Sequence, residues 1–340
     1  MRRILVIVGG VLLLVAVVLT ATFYAQLHRD HAGWQGPDVV VELPSGEPAG
    51  RLLGRLVDAG VLSDDGPLRT WLSIRGGGEK IRAGEYRFDQ PSSPLTVLSR
   101  LQRGDILLHA VTIPEGRSIF EAIQDLVVAG IADEASLTRV FSDPSAVREL
   151  DIDATDLEGY LFPDTYHFAS GVSAETVAET LVRRFVEVVD EEYIAAAAGH
   201  GLELHEAVIL ASLIEKESGV SSERPRIARV FHNRLKLGMP LQCDPTVLYA
   251  WARLGKPVGK LTRKHLEIDS PWNTYVYPGL PTGPIANPGE ESLWAAVQPA
   301  EGDELYFVAS PEGGHTFSRN YEEHRRAVRV WRAYRRSSPM

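Results

Sequence analysis

A single cysteine, Cys243, stands in the 340-residue chain, which excludes an intramolecular disulfide framework and a cysteine-rich metal site. A lone thiol fits either redox compartment. The ten histidines are scattered and form no HExxH or comparable ligand pair, so neither a metal nor a cofactor is expected. Basic residues are also scarce: 35 Lys and Arg face 45 Asp and Glu, a formal charge of -10. With no basic surplus to neutralise phosphates, nucleic acid is excluded as a general partner. The chain has no GxSxG elbow, no Ser-His-Asp ordering, no phosphate-binding P-loop and no low-complexity tract. What is present is ordinary for a globular protein, 44% apolar and 24% charged, and long enough for two or three domains.

Residues 4–25 form an apolar run interrupted only by Thr20, Thr22 and Tyr24. As a helix at 1.5 Å per residue it would be about 33 Å long, enough for the hydrocarbon core of a bilayer. A cleaved signal peptide has a shorter apolar run and small residues before the cut, whereas here Phe23 would occupy the -3 position. The run is therefore read as an uncleaved transmembrane helix. Arg2 and Arg3 precede it, so residues 1–3 are expected in the cytoplasm and the rest beyond the plasma (inner) membrane, on its external or periplasmic face. Residues 26–37 read as a polar tether.

An internal repeat follows. VELPSGEPAGRLLGRLVDAGV (41–61) aligns with VTIPEGRSIFEAIQDLVVAGI (111–131) at an offset of 70, pairing Pro44 with Pro114 and Gly46 with Gly116. A second segment repeats at an offset of 80, pairing Tyr86 and Phe88 with Tyr166 and Phe168. Each copy reads as strand, Pro-x-Gly turn, helix ending at Gly, then a second strand and helix, with about ten extra residues in the middle of the second. The expected modules are 38–104 and 109–185. Their pattern resembles LysM modules, which implies glycan or wall binding; duplication for structural support alone remains the alternative. LEGYLFPDTYHF (157–168) puts aromatics beside Glu158 and Asp164, which suits sugar stacking and a packed strand pair equally well.

The stretch from Leu204 to Tyr249 organises the remainder, expected as a domain over 200–336. Two helical patterns are joined by SGVSSERP and closed by GMP. At 100° per residue, Glu215 falls at about 20° from Leu204, beside Val208 at about 40°. A carboxyl against such neighbours loses water, which favours its neutral form, as a general acid near neutral pH requires. Glu217 lies on the opposite flank of the apolar arc. Glu223, Gln242, Asp244, Asn273 and Tyr275 are further polar candidates for one groove. Simpler roles stay open: Asp244 as a helix cap, Asn273 as a turn residue, Glu223 as a first-turn acid, His315 as structural. Seven Pro and Gly between Pro278 and Gly289 forbid a regular element there. Thr180 to Ala198 reads as one acidic helix. Chemistry on glycans by a carboxylic acid is what the exclusions leave, and Glu215 with Asp244 could supply the two carboxyls of a glycosidase.

IEKESGVSSERPRIARVFHNRLKLGMPLQCDPTVLYA, SPWNTYVYPGLPTGPIANPG, YFVASPEGGHTFSRNYEEH and LEGYLFPDTYHF occur in this chain, and together they resemble the MltG-type endolytic murein transglycosylases, the YceG-like family. The resemblance implies an α+β fold with an N-terminal transmembrane helix, LysM-like modules and an α+β catalytic domain. It also implies a single-pass lyase that cuts nascent peptidoglycan strands internally, between N-acetylmuramic acid and N-acetylglucosamine, leaving 1,6-anhydro ends. The first acid of the EKE motif, Glu215, would be catalytic; Glu217, Glu223, Gln242, Asp244, Asn273 and Tyr275 would bind the sugars. A peptidoglycan synthase is the partner the family suggests. Cys243 and Trp272 depart from the family's usual small hydroxyl residue and tyrosine. The rival readings are a hydrolase with Asp244 as base and a non-enzymatic wall-binding scaffold.

Overall fold

The computed structural model describes residues 2–150 and 152–337. Helix α1 (Arg2–His28) contains a stretch of mean hydropathy 3.1, long and apolar enough to cross a membrane. It runs three residues past the expected end, because Leu27 is fully buried against the protein. The stretch expected as a tether is held down as well: His31 and Ser92 exchange backbone hydrogen bonds and the Gly33 N–H reaches the Gly60 carbonyl at 2.7 Å.

The described chain is α+β and divides into two compact units, one running to His109 with His167–Gly171 added, the other comprising Ala110–Tyr166 and the chain from Val172 on. In the first unit, β1 (Val39–Leu43) is followed by α2 (Ala49–Asp58), α3 (Gly66–Arg75), β2 (Gly84–Phe88) and α4 (Pro94–Arg103). β1 and β2 pair antiparallel, with Val41 opposite Tyr86. Alternation along both strands turns Val41, Leu43, Tyr86 and Phe88 inward, where they meet Leu53, Leu56 and Leu101 from one face of each helix.

The second copy repeats this order with β3 (Leu108–Thr112), α5 (Ile119–Val128), α6 (Glu134–Phe141), β4 (Thr165–Ala169) and α7 (Ala174–Val188). The same residues punctuate both copies. Gly60 and Gly130 follow α2 and α5 with φ of 74° and 70°, the left-handed turn that lets the chain leave a helix. Ser93 and Ser173 accept from the Thr96 and Thr176 N–H groups and start α4 and α7. The copies differ in the chain before the second strand: 23 residues separate α6 from β4 (142–164), and 8 separate α3 from β2 (76–83). The aromatics of that insertion pack inward, Tyr160 completely and Phe162 nearly so, which selects core packing over sugar stacking.

The single helix expected over Thr180–Ala198 is two, α7 and α8 (Glu191–Gly199), because Asp190 caps the second by accepting from the Tyr193 N–H at 2.9 Å. Next come α9 (Leu204–Glu217), α10 (Arg224–Lys236), α11 (Asp244–Arg253) and α12 (Glu290–Val297), then the hairpin β5 (Tyr306–Ala309) and β6 (His315–Ser318) and helix α13 (Tyr321–Ser337). Neighbours α8, α10, α11 and α12 surround α9, and every residue from Ala207 to Ile214 is buried. The apolar arc expected on this helix is thus corrected: the middle of α9 is enclosed all round, and polar side chains emerge only at its ends.

Candidate active site

Glu215 lies on the last turn of α9, where the helix leaves the core, and its side chain is 8% exposed. One carboxylate oxygen accepts from the Gly289 N–H at 3.1 Å and the other from the Arg224 guanidinium at 3.4 Å. Arg224, itself 9% exposed, also holds Glu291 and, at 3.2 Å, Glu115. Burial pushes the Glu115 carboxyl upward, and the neighbouring Glu215 charge adds to the rise.

The glycine-rich loop reaches this site because Asn287 anchors it. Residues 283–289 are buried, and a buried loop must pair its backbone. The Asn287 side-chain oxygen accepts from the Gly159 and Leu161 N–H groups, both at 2.9 Å, and its amide donates to the Arg117 carbonyl and to Glu158. Its own N–H also reaches the Arg117 carbonyl, and its carbonyl accepts from the Gly116 N–H. One side chain thereby ties the insertion, the Pro-x-Gly turn of the second copy and the loop that brings Gly289 to Glu215. Glu158, 2% exposed, accepts the Ile119 N–H at the start of α5, and burial pushes its carboxyl up to about 8.

Glu217 faces a different set of groups. Burial raises its carboxyl, the Cys243 thiol hydrogen-bonds to it, and the Asp244 charge raises it further. Cys243 is buried and its thiol is pushed up by desolvation and by Glu217. Cys243 occupies the N-cap position of α11 without a side-chain cap, so Asp244 is the first helical residue and not the cap considered for it. The Asp244 carboxylate instead accepts from the Tyr275 hydroxyl at 2.5 Å. Burial, then Asp244, raises the Tyr275 phenol.

Thr274 joins the two segments that carry these groups: its carbonyl accepts from the Gln242 N–H, and its hydroxyl accepts the Cys243 N–H and bonds the Thr246 hydroxyl at 2.9 Å. Gln242 is exposed and has φ of 48°, a left-handed conformation costly for a residue with a side chain and characteristic of functional turns. Asn273, expected in the groove wall, is fully buried. Its amide donates to the Leu266 and Ile268 carbonyls and its oxygen accepts from the Tyr275 N–H, so it holds the loop that presents Tyr275 and is closed off from solvent. Glu223 is half-buried and accepts the His315 backbone N–H at 2.9 Å while pairing with the His315 ring at 2.7 Å. These two residues fasten the β5–β6 turn to α10.

The expected residues therefore converge as two groups on either flank of one helix end. Glu215 joins Arg224, Glu115, Glu291 and Gly289, while Glu217 joins Cys243 and Asp244, with Tyr275 behind. Glu115, Arg224, Asn287 and Thr274 were not anticipated, and Glu158, read beside the aromatics as suited to a sugar, is instead buried on the Ile119 N–H. The alignment of Glu115 with Ser45 in the repeat is the signal that could have found the first of them. Two cavities of about 430 and 470 Å³ include Lys216 and Arg224 in their respective walls. A larger one, about 1040 Å³, is lined by His200, His205 and His232. It lies at the other end of α9, about 15 Å along the axis from Glu215 at 1.5 Å per residue.

Fold and site together define an α+β protein whose enclosed carboxyl, Glu215, is held by Arg224, Gly289 and the turn at Glu115 and Gly116, all within the second compact unit. Residues 41–330 match the YceG-like family, and the chain belongs to that family. It is 32% identical to the endolytic murein transglycosylase of Bacillus subtilis over 310 residues, 85% of this chain and 83% of that protein. It is 30% identical over 280 residues to the endolytic murein transglycosylase of Streptococcus pneumoniae D39, covering 73% of this chain but only 50% of that protein's length. A crystal structure of a yceG-like protein from Listeria monocytogenes is similar at a TM-score of 0.59 and 31% identity, over 85% of this chain and 98% of that one.

Proposed function

We propose that this protein is a membrane-anchored endolytic lytic transglycosylase with Glu215 as its acid. The observation that carries the reading is the nearly enclosed Glu215 carboxyl in a chain 32% identical to an endolytic murein transglycosylase over most of its length. Protonated Glu215 gives its proton to the β-1,4 bridging oxygen between N-acetylmuramic acid and N-acetylglucosamine, and the bond to C1 breaks. The resulting carboxylate takes the proton of the muramyl C6 hydroxyl while that oxygen bonds to C1. The balance closes on a 1,6-anhydro end and a free C4 hydroxyl, with no water consumed. Because Asp244 is engaged by Tyr275 and lies with Glu217, a water-activating base opposite Glu215 has less support.

Gln242, Asp244 and Tyr275 line the sugar path in this reading, Asn273 holds their loop, and Glu223 with His315 braces the β5–β6 turn. α1 anchors the protein with its N-terminus in the cytoplasm and the site on the external or periplasmic face. The shared element order of the two copies supports LysM-like modules that guide strands to the site, and a peptidoglycan synthase is the partner that would supply nascent strands. A second reading gives the acid's role to Glu217, because its carboxyl is held up by burial while remaining only partly covered. Mass spectrometry of glycan strands digested by the purified full-length chain tests the reaction. Anhydro ends are expected; reducing ends would make it a hydrolase, and strands bound but never cut would make it a scaffold.

A further inference from the structure

The two Pro-x-Gly turns of the repeat have different surroundings. At Pro44-Ser45-Gly46, a Cβ added to Gly46 would meet nothing within 4 Å. At Pro114-Glu115-Gly116, a Cβ on Gly116 would lie 3.4 Å from Glu215 Cγ. That second turn is clamped from two sides: Lys216 Nζ donates to the Gly116 carbonyl at 3.0 Å, and the Gly116 N–H donates to the Asn287 carbonyl at 2.9 Å. A Cβ on Gly289 would displace the Glu115 carboxyl from its place beside the loop. Where the first copy has Ser45, the second has an acid, and its carboxylate shares one nitrogen of Arg224 with Glu215, at 3.2 and 3.4 Å. Glu115 is 49% exposed and Glu215 8%.

We propose that Glu115 is a positioning residue of the reaction, sharing the Arg224 guanidinium with Glu215 so that the cation does not pair with the acid alone. This deepens the reading of Glu215 as the acid and rests on it. The charged groups facing Glu215 are few: Arg224 from α10, Glu115 from the turn, Glu291 from α12 through Arg224, and Lys216 on its own helix, engaged at the Gly116 carbonyl. An opposite charge at this distance favours an ionised carboxyl and a like charge favours a protonated one. Glu115 supplies the like charge and draws on the cation. Without it, Arg224 faces Glu215 with only Glu291 in competition.

The test is kcat/KM against pH for full-length wild type, Glu115→Gln, Glu115→Ser and Glu115→Asp, with thermal unfolding alongside. Loss of the charge is expected to move the alkaline limb down by about one pH unit in the Gln and Ser variants. Glu115→Asp, which keeps the charge, should stay near wild type. The Ser variant restores the residue of the first copy's turn and serves if the Gln variant folds poorly. Ser45→Ala should leave the profile unchanged. An alkaline limb unmoved in folded Gln or Ser variants overturns the proposal. An active Glu215→Gln variant would instead remove the reading beneath it, so the two failures are distinguishable.

Discussion

The two copies of the repeat share an element order, left-handed glycines at the same helix ends and serines at the same caps, yet they are used differently. The first builds a closed core around Leu43, Leu56, Tyr86 and Phe88, and its Pro-x-Gly turn faces open space. In the second, the corresponding turn lies against Glu215, and the insertion before β4 supplies Glu158 and the backbone groups that Asn287 holds. The two copies thus differ in one turn residue and in the length of one connection. What makes a copy functional is which groups its turns meet, and element order alone does not reveal that.

Breaking the link between the second copy and the loop should have the largest effect. Asn287→Ala leaves the buried Gly159 and Leu161 N–H groups unpaired and is expected to cost about 3 kcal/mol in urea unfolding. It should also abolish cleavage, since Gly289 loses its anchor; a loss within about 0.5 kcal/mol, as for a surface change, would contradict the account. Next is Glu158, which has no counterpart in the first copy. Burial raises its folded-state carboxyl to about 8, above the unfolded value, so the fold binds this proton more tightly. Its contribution is full below the unfolded value and is lost as pH rises toward about 8. Melting of Glu158→Gln should therefore fall less between pH 5 and 8 than that of wild type, and parallel curves would refute this.

A paired substitution sharpens the contrast further. Gly46 and Gly116 have φ of 78° and 74°, so Ala at either should cost about 1 kcal/mol from the left-handed backbone. Only Gly116→Ala should slow glycan cleavage, because only its Cβ meets Glu215. Equal slowing in both would mean that the turns are not functionally distinct. The smallest effects belong to shared features: Ser93→Ala and Ser173→Ala should each cost about 1 kcal/mol through a lost helix cap, with cleavage rates unchanged.

Local patterns carried much of this into the sequence. The repeat offsets of 70 and 80 give two strands and two helices of each copy nearly in register, with Gly60 and Gly130 at helix ends, but not α3 and α6, which precede the second strands. The acid-bearing end of α9 was legible too, since Glu215 and Glu217 stand at the end of an apolar run. Groups brought together by distant contacts were not legible. Asn287 is one amide in a Pro-Gly loop, and nothing local indicates that its partners lie 126 to 170 residues away. Arg224 resembles any basic residue near a helix start until three carboxylates surround it. Asn273, a polar candidate for the groove with a turn role as the alternative, makes hydrogen bonds that are all internal and so follows the alternative.

The sharpest measurement compares Glu215→Gln with Glu217→Gln in the full-length chain, following anhydro-ended products from glycan strands at one pH. Loss of a general acid should lower the rate of Glu215→Gln by at least about 100-fold, while Glu217→Gln keeps most of the wild-type rate. An active Glu215→Gln beside an inactive Glu217→Gln would move the reaction to the other flank of the helix and contradict a functional role for the second copy's turn.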